Sequence, residues 1–326
     1  MIISKPEARI VLTLPQDAIL SAIALLNAGE VVAFPTETVY GLGADASNPD
    51  AVAKIFALKS RPRNHPLIVH LADAECIEQW AREIPDEAWE LAREFWPGPL
   101  TLILKRSTRV LDAVTGGQDS IGLRVPAHPV ALALLHGFGG GVAAPSANRF
   151  GAVSPTAAEH VRAEFGDLLP MILDGGLCSV GVESTILDLS PGTPALLRPG
   201  GVTKEALERV LKLAVPLKQS GVRAPGQMAS HYAPRAEVIL TTRAEAAERE
   251  AALRAAGKKV ARLGELIDEH DMRAYARRLY AALRAADTQG ADVLLATLPD
   301  ERGLGLAIAD RLRKAAGPRG RMTSAG

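Results

Sequence analysis

Lysine, two arginines and a histidine crowd into Lys59-Ser-Arg-Pro-Arg-Asn-His65, directly ahead of the apolar run Pro66-Leu-Ile-Val-His70. Pro62 and Pro66 restrict the backbone on either side of Arg63. Like charges repel one another and solvated arginines need no stiff frame, so a rigid basic loop suits a polyanion such as a triphosphate. For the loop taken alone, a solvated basic turn is the alternative. The distribution of acids favours the first reading. The chain balances 37 Lys+Arg against 37 Asp+Glu, yet no carboxylate occurs over residues 51–72, 120–158 or 189–204. Those windows carry Lys54, Lys59, Arg61, Arg63, Arg124, Arg149 and Arg198. A neutral chain that concentrates positive potential locally fits a small anionic substrate better than a long nucleic acid.

The elements that must position these groups follow from periodicity and punctuation. Ile19, Leu20, Ile23 and Leu26 put an amphipathic helix over Gln16–Ala28, stopped by Gly29. Val31–Phe34 reads as a strand buried on both faces, ended by Pro35 just before the hydroxyls and carboxylate of Thr36-Glu-Thr38. Gly41-Leu-Gly-Ala-Asp-Ala46 fits GxGxxA, a weak dinucleotide signal, because Asn48-Pro49 opens the next helix instead. That helix, Pro49–Leu58, delivers Lys59 at its C-terminal end, where the helix dipole favours a cation. Strands are predicted at Leu67–Leu71, Leu100–Leu104, Ile121–Val125, Met171–Asp174, Ser184–Leu189 and Ala195–Arg198. Helices are predicted over Pro85–Phe95, His128–Leu135 and Lys204–Leu213. Gly139–Gly141 permits close backbone approach before Val142–Asn148. Ser154-Pro155 predicts a hydroxyl-capped helix over Thr156–Phe165 whose amides could serve an anion. Trp89, Phe95 and Trp96 are expected in the core. From about Ala214 to Pro234 the pattern loses its period and reads as a linker, with His231-Tyr232 too specific for a mere tether. Strands at Glu237–Leu240, Lys259–Arg262 and Asp292–Leu295 between Ala/Arg/Glu-rich helices then make a small α/β domain. The predicted division is residues 1–213, 214–235 and 236–326.

At 326 residues with 48% hydrophobic and 4% aromatic content, the chain is expected to be soluble and globular. No basic-plus-apolar leader and no apolar run long enough to span a bilayer is present, so the cytoplasm is expected. Cys76 and Cys178 show no CxxC spacing and are expected as buried thiols, Cys178 in a glycine-rich loop near the site. There is no GxxxxGK[ST], HExxH or GxSxG. What remains is a cation-lined, hydroxyl-rich pocket fed by strand ends, which would work by positioning and charge stabilisation.

Lys59-Ser-Arg61 and Ser146-Ala-Asn148, joined by FPTETVYGLG, PLIVH, FWPGPLTLIL and GVESTILDL, resemble the YrdC-type threonylcarbamoyl-AMP synthases. PGQMASHYAP and GLGLAIADRLRKAA resemble the longer, two-domain branch. The resemblance spans nearly the whole chain. It implies an α/β fold with a large, twisted, open mixed sheet flanked by helices, and a second small Rossmann-like domain. The implied reaction condenses L-threonine, bicarbonate and ATP, with Mg²⁺ on the triphosphate, into threonylcarbamoyl-AMP and pyrophosphate. Partner proteins would then transfer the threonylcarbamoyl group to tRNA. By the resemblance, Thr38, His70, Arg124, Ala144 and Ser184 match the threonine side. Lys59, Arg61, His65, Ser120, Ser146, Asn148, Ser154 and Arg198 match positions lining ATP or the intermediate, with Lys59 and Arg61 carrying the catalytic charge. His231-Tyr232 matches the segment that folds over the nucleotide. Position 65 is histidine where related chains often carry asparagine.

In physical terms, Arg124 can fork to an amino-acid carboxylate, and the Thr38 and Ser184 hydroxyls can bond a threonine hydroxyl. Glu37 and Glu183 are both candidates for the threonine ammonium. No residue set suggests a protein-built metal cage. The small domain is expected to position the linker as a lid. The main rival is an RNA-binding translation or maturation factor using the same basic concavity, although a direct role for tRNA binding is left open. A carbamoyl-transfer domain of a hydrogenase-maturation protein is a second rival, without that family's acylphosphatase and cysteine-rich modules.

Overall fold

A computed structural model describes residues 16–190, 192–217, 221–228, 230–268 and 270–318. Its large sheet contains β1 (Val32–Phe34), β2 (Gly41–Asp45), β3 (Ile68–His70), β4 (Leu100–Lys105), β5 (Ser120–Arg124), β6 (Val142–Ala143), β7 (Met171–Ile172), β8 (Thr185–Asp188) and β9 (Ala195–Arg198). Their order is β7-β1-β2-β6-β3-β5-β4-β8-β9. Pairing is parallel at β7/β1, β3/β5 and β4/β8 and antiparallel elsewhere, so the sheet is mixed as expected. The register matters for chemistry. Parallel pairing of β3 with β5 sets His70 beside Arg124 at the same strand end.

Helices cover both faces because both faces of these strands are apolar. On one side, helix Gln16–Asn27 buries Ile19, Ala22 and Leu26 with Val32, Phe34 and helix Pro129–Phe138, while Leu20 points outward. On the other, helices Pro49–Lys59, Asp86–Phe95, Ala158–Phe165 and Lys204–Leu211 close the main core. Trp96 belongs to that core, and Trp89 and Phe95 pack against it. Asn48 caps the second helix, its side chain accepting from the Asp50 and Ala51 amides, with Pro49 in the first turn. Ser60, left-handed at φ 53, ends it and turns the chain into the basic loop.

Two expectations are corrected, and the weak dinucleotide signal is answered as well: Gly41–Asp45 forms strand β2, antiparallel to β1, not a phosphate-binding turn. A Cβ at Gly43 would lie 2.6 Å from the Phe34 ring and 2.8 Å from Val142, so packing requires the glycine. The helix predicted from Ser154 starts only at Ala158, with Ala157 at the cap position. The Ser154 hydroxyl donates to the Glu183 carboxylate at 2.6 Å, four positions before the helix begins. The Tyr40 amide donates to the Pro155 carbonyl, which keeps this stretch beside the sheet. Finally, Cys178 is buried but Cys76 is only half-buried.

The small sheet is parallel throughout, with β10 (Glu237–Leu240), β11 (Val260–Arg262) and β12 (Val293–Ala296) in the order β10-β12-β11. Helices Met272–Thr288 and Leu304–Ala315 pack on it. Their apolar cluster takes in Val39, Val153 and Val182 from loops of the large sheet, together with Tyr232. The linker enters by a bridge from Leu196 to Leu217, and Val222 and Ala224 lie against the β3, β4, β8 and β9 face. Residues 218–220 and Ala229 of the linker, and the tail beyond Pro318, lie outside the described residues. Among the described residues no helix is long and apolar enough to cross a membrane.

Gly43→Ala is expected to lower stability by about 1–3 kcal/mol, read from the midpoint of urea unfolding, because Phe34 and Val142 are too buried to yield. An undiminished midpoint with weakened nucleotide affinity would restore the phosphate-turn reading.

Candidate functional site

The strand exits meet under the linker around a cavity of about 60 Å³. Thr38, His70, Arg124, Ala144 and Ser184 line it, joined on the far wall by Arg61, Ser146 and Arg198. Pro225, Gly226, His231 and Tyr232 form its roof.

Around Thr38 and Arg124, hydroxyl protons can be counted. Thr36 Oγ1 donates to the Val39 carbonyl at 2.6 Å, so the 2.8 Å contact between the two threonine hydroxyls must use the Thr38 proton. Thr38 Oγ1 is therefore left as an acceptor. Arg124 spends Nη2 on Glu37 at 2.6 Å and Nε on the Gly98 carbonyl at 3.1 Å. Those bonds use Nε and one Nη2 hydrogen, so a carboxylate can be met from Nη1 and the second Nη2 hydrogen while Glu37 stays bound. Both Glu37 oxygens are engaged, the second by the Ala127 amide. Ser184 shares its hydroxyl with Thr101 at 2.8 Å and receives Arg198 Nη2 at 3.0 Å. Burial, with Arg124 adding to it, lowers the His70 imidazole to about 3, so this ring is neutral at pH 7.

On the other side, Lys59 stands one layer behind the cavity. Its ammonium donates to the carbonyls of Ser146 and Asn148, which ties the basic loop to the Ser-Ala-Asn turn. Burial and then Arg61 hold its amine well below the usual lysine range. Asn148 donates from Nδ2 to the Arg149 and Ala152 carbonyls. Arg61 donates from Nη2 to the Pro66 carbonyl, and burial lowers it to about 10. Ser120, Asn148 and Ser154 are buried without lining this cavity, Ser120 at the start of β5 opposite Lys105.

His65 lies in an adjoining space of about 200 Å³ that shares Arg61, Gly226 and His231 with the first. Phe150, Arg223 and Met228 also line it. The Phe150 ring meets His65 edge-on at 5.3 Å, His231 at 6.2 Å and the Arg61 guanidinium at 5.6 Å. Phe150 was overlooked in the sequence, although it follows Ser146-Ala-Asn148 by two residues.

The roof is held by several bonds. Arg198 Nη1 donates to the Pro225 carbonyl at 3.2 Å, and Arg223 Nη2 to that of Gly116 at 2.7 Å. Among the described residues, Arg61 Nε, His70 Nδ1, Asn148 Oδ1 and His231 Nδ1 are buried and without a hydrogen-bond partner. Such atoms are costly in a finished interior and cluster where a polar ligand belongs.

The chain is similar to known proteins. Residues 24–200 match a family model described as telomere recombination, and residues 202–317 one described as the threonylcarbamoyl-AMP synthase C-terminal domain. The chain is 45% identical over 318 residues to the threonylcarbamoyl-AMP synthase of Pyrococcus abyssi, covering 91% of this chain and 94% of that one. This chain belongs to the threonylcarbamoyl-AMP synthase family. The family member of Bacillus subtilis is 41% identical over 323 residues, covering 92% and 93%. A crystal structure of P. abyssi Sua5 complexed with L-threonine matches with a TM-score of 0.87 at 44% identity, covering 91% of this chain and 94% of that chain.

The site also sets a pH dependence. His70 and His231, both lowered to about 3 by burial, remain neutral when the unfolded chain takes up protons near pH 6.5. Their contribution to stability is complete above about pH 6.5 and lost progressively as the pH falls towards about 3. Thermal midpoints should therefore drop across that window, and His70→Gln should flatten the slope. An equal slope in the variant would show that His70 is not buried neutral.

Proposed function

We propose that this chain condenses L-threonine, bicarbonate and ATP into threonylcarbamoyl-AMP and pyrophosphate, as the first step of threonylcarbamoyladenosine formation in tRNA. The observation that carries the reading is the convergence of unpartnered buried polar atoms from Arg61, His70 and His231 on one cavity beneath the linker. Bicarbonate and the threonine amine would combine to a carbamate with loss of water. A carbamate oxygen would then attack the α-phosphorus as pyrophosphate leaves.

Thr38, His70, Arg124, Ala144 and Ser184 surround the threonine end in this reading. The Thr38 oxygen accepts from the ammonium or hydroxyl, and Arg124 meets the carboxylate. Arg61, Arg198 and Lys59 offset phosphate charge, the last through the turn it braces. His65 and Phe150 border the base end, and Ser146, Asn148, Ser120 and Ser154 shape the wall. Pro225, Gly226, His231 and Tyr232 cover the cavity, so the linker would lift to admit ATP and His231-Tyr232 then close over it. Residues 1–213 would form the catalytic unit, 214–235 the lid and 236–326 its support.

Among the described residues no group of three or more His, Cys, Asp or Glu side chains could hold a metal ion. Glu37 and Glu183, the carboxylates nearest the cavity, are both engaged by protein donors. These residues do not build a magnesium cage, and Mg²⁺ is assigned to the incoming triphosphate as part of the substrate. We place the protein in the cytoplasm, handing its product to tRNA-modifying transfer proteins.

Pyrophosphate release should require both threonine and bicarbonate, and should fall by about 100-fold or more with valine, which leaves the hydroxyl partners unpaired. Arg124→Ala should weaken threonine binding by about 10- to 100-fold in calorimetry. Threonine affinity untouched by that change would end the carboxylate assignment. Tight tRNA binding indifferent to ATP, with no pyrophosphate release, would favour the RNA-binding alternative.

A further inference from the structure

Glu183 lies immediately before Ser184, at the wall of the cavity, yet most of its donors come from the small domain. Oε1 accepts from Ser154 at 2.6 Å. Oε2 accepts from Tyr280 Oη of helix Met272–Thr288 at 2.6 Å and from Arg311 Nε of helix Leu304–Ala315 at 2.7 Å. Arg311 is fully buried, its Nη1 also donating to the Pro199 carbonyl at 3.0 Å. The same two side chains grip the roof. The Tyr232 ring stacks on Tyr280 at 5.6 Å and lies under the Arg311 guanidinium at 5.1 Å. Tyr232 has φ 60, a left-handed conformation that a bulky residue holds only when its surroundings over-determine it. On either side of it, the His231 amide donates to the Lys314 carbonyl and the Ala233 amide to that of Gly151.

We infer that Arg311 and Tyr280 are positioning residues for the nucleotide pocket, latching the Tyr232 turn and the Glu183 wall so that the roof closes only while the small domain is docked. Buried ion pairs are weak stability devices, and an apolar replacement of similar volume often folds as well. The arginine's value here is in geometry, since its fork joins the wall, the Pro199 carbonyl and the roof at once. Only the kinetic consequence rests on the synthase reading.

The charges around Glu183 supply an independent signature. Burial alone would raise its carboxyl, but Arg311, Arg198 and the hydroxyls of Ser154 and Tyr280 outweigh it and hold it at about 2. Tyr232 and His231 face it from the roof, the histidine neutral because burial lowers it to about 3. Asp310 and Lys314 pair with each other beside Arg311. With Arg311 removed, burial regains the upper hand and Glu183 protonates at higher pH.

The test uses the full-length protein with Arg311→Met and, as a milder change that keeps the ring stack, Tyr280→Phe. Hydrogen exchange at the His231 and Ala233 amides should accelerate by about tenfold or more in both variants, with the β1 amides unaffected. In Arg311→Met, the ATP KM should rise about tenfold with threonine binding near wild type, and kcat/KM should acquire an acid limb between about pH 5 and 7. Unchanged exchange at His231 and Ala233 in both variants would overturn the latch. So would an equal acceleration in β1, which reports only global loosening. Exchange is read without turnover, so a wild-type chain lacking threonine-dependent pyrophosphate release would sink the synthase reading alone.

Discussion

A carboxylate removed from water costs several kcal/mol unless donors surround it, and Glu183 meets that demand with groups from both parts of the molecule. This one requirement orders much of what lies around it. It takes the proton of the Ser154 hydroxyl from the stretch that leads into the helix at Ala158. It fixes the backbone leading into Ser184, whose carbonyl and hydroxyl then receive Arg198. It also anchors the two helices that clasp Tyr232. Pocket wall, roof and small domain thus share a single buried acceptor.

The cations of the pocket are treated in two ways. Arg124 is matched by a full charge, Glu37, in a pair that is almost completely shielded from solvent. Lys59, Arg61 and Arg198 rely mainly on carbonyl oxygens, which orient them without cancelling their charge. A phosphate chain entering beside the second group meets uncompensated positive potential in a low-dielectric space, where it counts for most. Desolvation works against the charged Lys59, and an anion nearby would favour its charged form. The acid-poor windows of the sequence correspond to this division, since Arg61, Arg124 and Arg198 come together from three of them.

Neither the sheet nor the linker makes the site alone. Gly226 shows how closely they approach, for a Cβ there would lie 2.5 Å from the Tyr232 hydroxyl and 3.2 Å from Arg198. The left-handed Tyr232 and this glycine let a stretch without regular structure lie flat over the strand exits. The small domain then contributes the apolar cluster that receives Val39, Val153 and Val182, so roof and wall are packed together rather than merely tethered.

The local chain determined a good deal. Apolar runs ended by proline located β1, the Asn48-Pro49 cap located the helix before Lys59, and uninterrupted periodicity located the three strands of the small domain. Motif order identified the family and named residues such as Arg61, His70 and Arg124, which the structure brings around one cavity. These are properties of neighbours in sequence, which periodicity and capping report directly. What the tertiary structure decided depends on groups far apart in the chain. Phe34 and Val142 fill the space over Gly43, where a strand stands instead of a phosphate turn, and the Ser154 hydroxyl found its acceptor in an acid 29 positions away. Arg124 proved to be paired with Glu37, Phe150 joined the space lined by His65, and Arg311 and Tyr280 reached Glu183 from the far domain. A hydrogen-bonding group takes the strongest acceptor within reach in space, and distance in space is what a linear sequence does not display.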